Sequence, residues 1–274
     1  MARTSLIENY AHGAAAAVRA AFADRTNFIL QSLSMVVNNG FMLVLWFMFF
    51  AGFRSVGGWK LSDMALLIGL IMSIVGVAGI AFGGYRDMAA TILSGELDAL
   101  LTQPRSVLAR LLARDSLPSA WGDLATGVAI LVAFGGLTWR DLPWLAVGWT
   151  AGLVVYLAAA VSFASLAFWI AGARSLARDL TDFTILVSSY PGSIYSGASK
   201  IIAYSLLPAG FIVLTPVSLL RAPSPATLAG EVSAALAYAA FAGALFHFGL
   251  ARYRRGFAPG GMGRRTITSR RRCA

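Results

Sequence analysis

SDMALLIGLIMSIVGVAGIAFG, residues 62–83, carries a single charge, Asp63, at its second position. At 1.5 Å of rise per residue, a helix of about twenty such residues crosses a hydrocarbon core of about 30 Å. Gly69, Gly76, Gly79, Gly83 and Gly84 recur along it. Glycines so placed let a second helix approach closely. The stretch reads as a membrane span, and the composition around it agrees. Hydrophobic residues make up 58% of the 274 residues and charged residues 12%, whereas soluble domains average about 45–50% and about 25%. An ordinary soluble enzyme, a disordered chain and a disulfide scaffold are excluded. The one cysteine, Cys273, forms no internal disulfide or metal cluster and does not fit a prenylation box.

Outward from this span, the same ruler marks others at about 28–50, 117–137, 143–171 and 226–250. The first ends in Trp46, Phe47, Phe49 and Phe50; Trp144, Trp149 and Trp169 read as interface anchors of the fourth. Residues 5–23 mix Leu6, Ile7, Val18 and Phe22 with Glu8, His12 and Arg19. They read as an amphipathic helix at the membrane interface, not a signal peptide. Region 178–221 holds two apolar segments interrupted by Pro191, Gly192, Pro208 and Pro216. If both cross there are seven spans; if one crosses there are six. Basic residues decide the parity. Six spans with both ends inside place seventeen arginines on the cytoplasmic side against five basic residues outside, as the positive-inside rule requires. The expectation is that 178–197 crosses and 198–221 is re-entrant from the outer face, with the reverse assignment open. The chain then divides into an interface helix (1–26), a transmembrane domain (27–250) and a basic cytoplasmic tail (251–274). The net charge of +10 is that of span-flanking arginines, not of a nucleic-acid binder.

Chemistry-bearing residues are sparse. Asp123, Glu231 and His247 are ionisable residues within spans and read as interface residues that snorkel or find a backbone partner. Asn38 and Asn39 read as interhelical hydrogen-bonding residues. There is no HExxH, CxxC or Gly-x-Ser-x-Gly, and neither lysine, Lys60 nor Lys200, follows a glycine as a Walker A loop requires. No catalytic, cofactor-binding or metal-ligating residue is assigned. The chain cannot hydrolyse ATP alone, so a transport function would draw its energy from a partner. Two competing classes are an ion-coupled transporter or channel, in which Asp123 would matter most, and a non-transporting assembly factor.

The longest internal connection, YRDMAATILSGELDALLTQPRSVLARLLARDS (85–116), carries Met88, Ile92, Leu93, Leu97, Leu100 and Leu101 at steps of one, three or four. That is one apolar helical face, interrupted at Gly95 and ended by Pro104. It suits equally a helix lying on lipid headgroups and a helix docked into a groove of a cytosolic subunit.

Within it, SGELDALLTQPRS (94–106) resembles the cytoplasmic signature of ABC-2 type exporter permeases, a Gly-x-x-Asp/Glu-x-Leu-Leu-x-x-Pro pattern met here by Gly95, Asp98, Leu100, Leu101 and Pro104. GGWKLSDMALLIGL (57–70), SSYPGSIYSG (188–197) and LLPAGFIVLTPVSLL (206–220) are similar to that family's outer loop, Tyr-Pro segment and paired-proline segment. The likeness spans about residues 20 to 255. It implies an all-α polytopic membrane protein with six transmembrane helices, an N-terminal interface helix, a cytoplasmic coupling helix and a re-entrant outer segment. It also implies a bacterial inner-membrane location with both termini cytoplasmic. Two copies, identical or paralogous, would form the path, and each would bind a separate cytosolic ABC ATPase subunit that holds the ATP and Mg. The coupling contact would be Met88, Leu93, Gly95, Glu96, Leu97, Asp98, Leu100, Leu101 and Pro104, with the helix at 5–23 as a second contact. The arginine-rich tail is longer than the family pattern and reads as an anchor on anionic membrane lipids. The cargo is not readable: the apolar, glycine-rich spans suit a lipid-like or amphipathic molecule and equally a wall that faces only lipid or other helices, so drugs, toxins and lipids all stay open.

Overall fold

The computed structural model describes residues 6–53, 55, 57–102 and 106–256, and these fold as helices joined by short turns. They are α1 (Leu6–Ala21), α2 (Arg25–Gly52), α3 (Leu61–Phe82), α4 (Met88–Leu93), α5 (Leu97–Leu101), α6 (Val107–Leu112), α7 (Pro118–Phe134), α8 (Leu142–Ser165), α9 (Ala173–Ser188), α10 (Ala198–Tyr204), α11 (Thr215–Arg221) and α12 (Pro225–Arg254). Four helical stretches are long and apolar enough to cross a membrane: α2, α3 with its continuation to Leu93, α8 with its last turn to Phe168, and α12. Local chemistry sets several starts. Asp24 accepts from the Asn27 amide to cap α2, and Asp63 accepts from the Lys60 amide at the head of α3. Pro118 and Pro225 open α7 and α12, where the missing N–H costs nothing.

The centre is α3 and α8, whose most apolar windows are 67% and 78% buried against 11% for α2. Around them pack α7 on α3, α2 on α7, and α12 on α8. The glycine stripe of α3 finds its neighbour in α7. A Cβ on Gly76 would lie 2.6 Å from the backbone nitrogen of Leu124, and one on Gly79 would lie 2.6 Å from the Cβ of Ala120. Gly127 of α7 answers: its Cβ would lie 2.5 Å from the Ser73 nitrogen. Polar links cross the same core, with the Trp149 indole donating to Ser73 Oγ at 2.9 Å and the Tyr85 and Tyr156 hydroxyls 3.0 Å apart.

The bundle has two ends. At one, α1 is tied to the end of α3 by the Tyr10 hydroxyl donating to the Ala81 carbonyl (2.7 Å), and Phe22 and Phe28 pack around Trp121. At the other lies Trp59. There the Arg221 fork meets Asp63 at 2.5 and 2.7 Å and sits 4.2 Å from the Trp59 ring centroid. Asp63 is only 14% exposed in this pair. Bidentate, charge-assisted contact over an aromatic face outweighs the ordinary surface ion pair. Arg221→Ala is expected to cost about 1–2 kcal/mol, read as a lowered melting midpoint in detergent. Arg221→Lys should recover part of it and no more, because the fork is lost.

Helix limits differ from the expectation where hydropathy misleads. The span expected at 178–197 is a helix over Ala173–Ser188 that stops before the Tyr190–Pro191 turn. It is amphipathic, with Arg174, Arg178, Asp179 and Asp182 in its first ten residues, and is not among the four long apolar helices. The span expected at 143–171 ends its regular helix at Ser165 and continues as a tighter turn to Phe168. The region expected to be re-entrant is three short pieces: α10, a π-helical turn at Gly210–Leu214, and α11. Gly192, just before them, lies against Trp59. The Tyr238 hydroxyl, partway along α12, donates to the carbonyls of Tyr204 (2.9 Å) and Ser205 (2.8 Å). Arg221 is again beside Trp59. Most of the tail expected at 251–274 lies outside the described residues.

The intramembrane polar residues separate cleanly. Asn39 donates to Asp123 Oδ1 and to Thr126 Oγ1, each at 2.9 Å, so the asparagine bridges α2 and α7 as its type implied. Asp123 finds this side chain rather than a backbone partner. Glu231 is fully buried on α12 and neither carboxyl oxygen has a hydrogen bond, so it neither snorkels nor finds a backbone partner. His247 is exposed.

Candidate functional site

The connection after α3 folds back beneath the bundle as three short helices. Gly83 and Gly84 make the corner, where a Cβ on Gly83 would meet the Asp115 carbonyl at 2.6 Å. Gly95, at φ +81°, separates α4 from α5, a backbone conformation that glycine adopts without steric cost. Ser106 caps α6 by accepting from the Ala109 amide. The apolar face read from the sequence is real, but it points inward. Met88 and Leu97 are fully buried and Ile92 nearly so, in a core shared with Leu111, Phe168, Phe246 and Leu250. Two of the nine expected contact residues, Met88 and Leu97, therefore hold the segment to its own chain. Leu93, Gly95, Leu100 and Leu101 are half-buried, Glu96 and Asp98 are exposed, and Pro104 lies outside the described residues.

The exposed side of this platform lines an open cleft of about 1460 Å³ at the α1 end of the bundle. One wall is the small-residue face of α1: Gly13, Ala16, Ala17 and Ala20. The floor is Glu96, just before α5, and Ala99 and Leu100 of α5, with Ala109 and Arg110 of α6 and Arg114 just after it, and Arg254 closes the end of α12. Arg114 pairs with Glu96 at 2.7 Å and donates to Thr91 Oγ1 at 3.2 Å, while Arg110 donates to the Leu100 carbonyl at 3.2 Å. The hydrogen bond and charge of Arg114 hold the Glu96 carboxyl below the ordinary carboxylate range. The pair is therefore ionised at neutral pH and comes apart only as pH falls through that lowered value. The α1 wall sets a small apolar stripe beside Asn9, Tyr10 and His12, and the floor bears fixed charge. Such a surface is suited to receiving a protein segment, and nothing in it resembles a catalytic constellation. Among the described residues no group of three or more His, Cys, Asp or Glu side chains is placed to hold a metal.

Two ion pairs fasten the head of this platform to α9. Arg178 pairs with Asp87, the residue preceding α4, and Arg86 pairs with Asp182 at 3.0 Å. Their side chains are 38–55% exposed, so they steer geometry more than they stabilise.

Sequence reading found α5 and α1 but missed α6. The readable signals were the Ser106 cap and the Gly13, Ala16, Ala17, Ala20 stripe, whose 3–4 spacing marks one helix face. Searches of curated proteins and of solved structures return no match. The family described as ABC-2 family transporter protein does match, over residues 36–256, from within α2 to just past the end of α12. The match takes in the bundle except α1 and the first turns of α2, and with the folded-back platform after the second long apolar helix it makes this chain a member of the ABC-2 transporter family, a membrane-domain permease.

Proposed function

We propose that the chain is the membrane-spanning subunit of an ATP-driven exporter, paired with a second permease copy and driven by a separate ABC ATPase that carries ATP and Mg. The observation that carries this is the cleft between α1 and the α5–α6 platform. It is an open, unfilled surface built on a segment whose buried side is locked into the transmembrane core. A rigid body seated there would push α5. Leu97, Met88 and Ile92 would pass the displacement to Phe168 on the last turn of α8 and to Phe246 on α12, and Asp87 would pass it to Arg178 on α9. Bistable packing of this kind converts differential affinity for two states into motion.

In this reading the α1 end is cytoplasmic. Arg86, Arg110, Arg114, Arg174, Arg178, Arg252, Arg254 and Arg255 gather at that end, against Lys60, Arg140, Lys200 and Arg221 on the segments assigned to the other. Six crossings follow if α7 and α9 span along with the four long apolar helices. Residues 198–221 then enter from the outer face to the depth of Tyr238 and return to Trp59. The location is the bacterial inner membrane. The basic tail would rest on anionic headgroups.

Filling the cleft tests the docking assignment without touching the buried platform. Ala99→Trp on the floor and Ala16→Trp on the α1 wall both face the cleft. Each is expected to reduce co-purification of the co-expressed partner ABC ATPase at least tenfold, and ATP-driven flux in proteoliposomes with it, at unchanged melting temperature. Normal association in both variants rejects the cleft as the docking site.

A further inference from the structure

The polar residues of α2, the least buried of the long helices, are not scattered. Beyond Thr26 the helix holds six amide or hydroxyl side chains. Ser32 and Asn39 turn inward, Ser32 donating to the Pro118 carbonyl at 2.8 Å and Asn39 to Asp123. The other four are Asn27, Gln31, Ser34 and Asn38, at steps of four, three and four. Phe41, Leu45 and Met48 continue that alternation and are 72%, 57% and 72% exposed. Together they form one seam with a period of about 3.5, the spacing of heptad a and d positions. From Asn27 to Met48 it climbs about 32 Å, the depth of a hydrocarbon core. Ser32 and Asn39 each follow a seam residue, so the side packed on α7 lies about 100° away around the helix. The bonds that Gln31, Ser34 and Asn38 donate stay within α2. Asn38 is the fourteenth of 28 residues, midway along the span, and is exposed. Among the described residues its one hydrogen bond is a 3.5 Å contact with Asn39 beside it. No water reaches an amide at that depth against lipid, so leaving it unmet is costly.

We infer that a second copy of the chain docks on this seam, the two α2 helices packing in parallel with each Asn38 hydrogen-bonded to its equivalent. The inference rests on the two-copy reading above and gives it a surface. Symmetry selects the occupant. Every copy inserts the same way round, so the twofold axis relating two copies runs along the membrane normal, and each seam residue meets its own equivalent at equal depth. An amide holds both donors and an acceptor, so it is complementary to itself. Asparagine within a heptad seam fixes register and oligomeric state, and lipid tails offer it no partner. The rest of the exposed face, with Ile29, Leu30, Leu33, Val37 and Val44, is apolar and is suited to lipid. A cargo molecule and a different membrane protein are the competing occupants.

The test uses the full-length permease without its ATPase, in a Cys273→Ser background, so its outcome does not depend on the docking cleft. Under copper phenanthroline in membrane vesicles, Ser34→Cys and Leu45→Cys are each expected to give a disulfide-linked dimer. Val132→Cys, at a position 81% exposed on α7, should not. Dimer fraction is then read by single-molecule photobleaching in proteoliposomes of falling protein density. Asn38→Leu should raise the dimer dissociation constant about tenfold, and Asn38→Gln, which keeps the amide, should stay within about threefold of wild type. The replaced side chain is exposed, and monodisperse elution in detergent reports that the subunit is folded. An undiminished dimer in folded Asn38→Leu overturns the seam and leaves the two-copy reading standing. So does cross-linking at Ser34 and Leu45 no stronger than at Val132, or a seam cross-link to a different membrane protein. A chain that is monomeric at every density overturns both.

Discussion

Gly76→Leu is expected to yield no folded, monodisperse permease from detergent extracts. The reason is backbone, not side chain. A Cβ at residue 76 would lie 2.6 Å from the Leu124 nitrogen and 2.8 Å from its Cα. Overpacking a core commonly costs about 1–3 kcal/mol when side chains can shift. Here the obstructing atoms belong to a helix backbone, so α3 and α7 must separate along a contact that Gly69, Gly79 and Gly127 also keep short. Dispersion is the main attraction between helices in lipid, and it falls off within an ångström of separation. The expected loss therefore exceeds that range. Gly243→Ala on α12 is the control, because nothing lies within 4 Å of its position. Better helix propensity should leave it unchanged or raise stability by up to about 1 kcal/mol. Both are read by fluorescence-detected size exclusion after a heating series. A Gly76→Leu protein that melts with wild type would mean α3 and α7 do not pack as described.

The same helix pair shows what the sequence carries and what it withholds. Spacing told which α3 residues share a small-residue stripe, and nothing in the chain named α7 as the helix that approaches it. Long apolar runs announced α2, α3, α8 and α12 because length and hydropathy are local properties. Residues 173–188 hid their helix, since Arg174, Arg178, Asp179 and Asp182 lower its hydropathy while pairing two of its charges with the α3–α4 corner. The platform after α3 was the instructive case. Periodicity correctly grouped Met88, Ile92 and Leu97 on one face, but a shared face does not say what it meets. The structure gives that face to Phe168, Phe246 and Leu250, from chain segments far downstream. What remains for a partner is the reverse side, with Ala99 and Leu100 beside the small face of α1 and the unforeseen α6.

Asn39→Leu should cost about 1–2 kcal/mol, the upper range for a polar contact between membrane helices. Asn39 is 3% exposed and Asp123 is 6% exposed, so water cannot replace the lost donor. The Asn39 amide is the side-chain group that meets the Asp123 carboxyl, at 2.9 Å, and it holds Thr126 as well. Two further variants separate the meaning of the cluster from its stability. In Asp123→Asn the side-chain carbonyl still accepts from Asn39, so melting should stay within about 0.5 kcal/mol of wild type. In Asn39→Leu with Asp123→Leu both polar groups leave together, and part of the loss should return, because replacing a buried polar pair by apolar groups costs less than orphaning one partner. The cluster then acts as a peg between α2 and α7, and ATP-driven flux through Asp123→Asn should persist at half the wild-type rate or better. An ion-coupled carrier makes the opposite demand, since its coupling site must ionise and an asparagine cannot. Loss of flux in a correctly folded Asp123→Asn, with flux in wild type following an ion gradient in vesicles that lack any ATPase, would move this chain from the driven permeases to the gradient-coupled transporters.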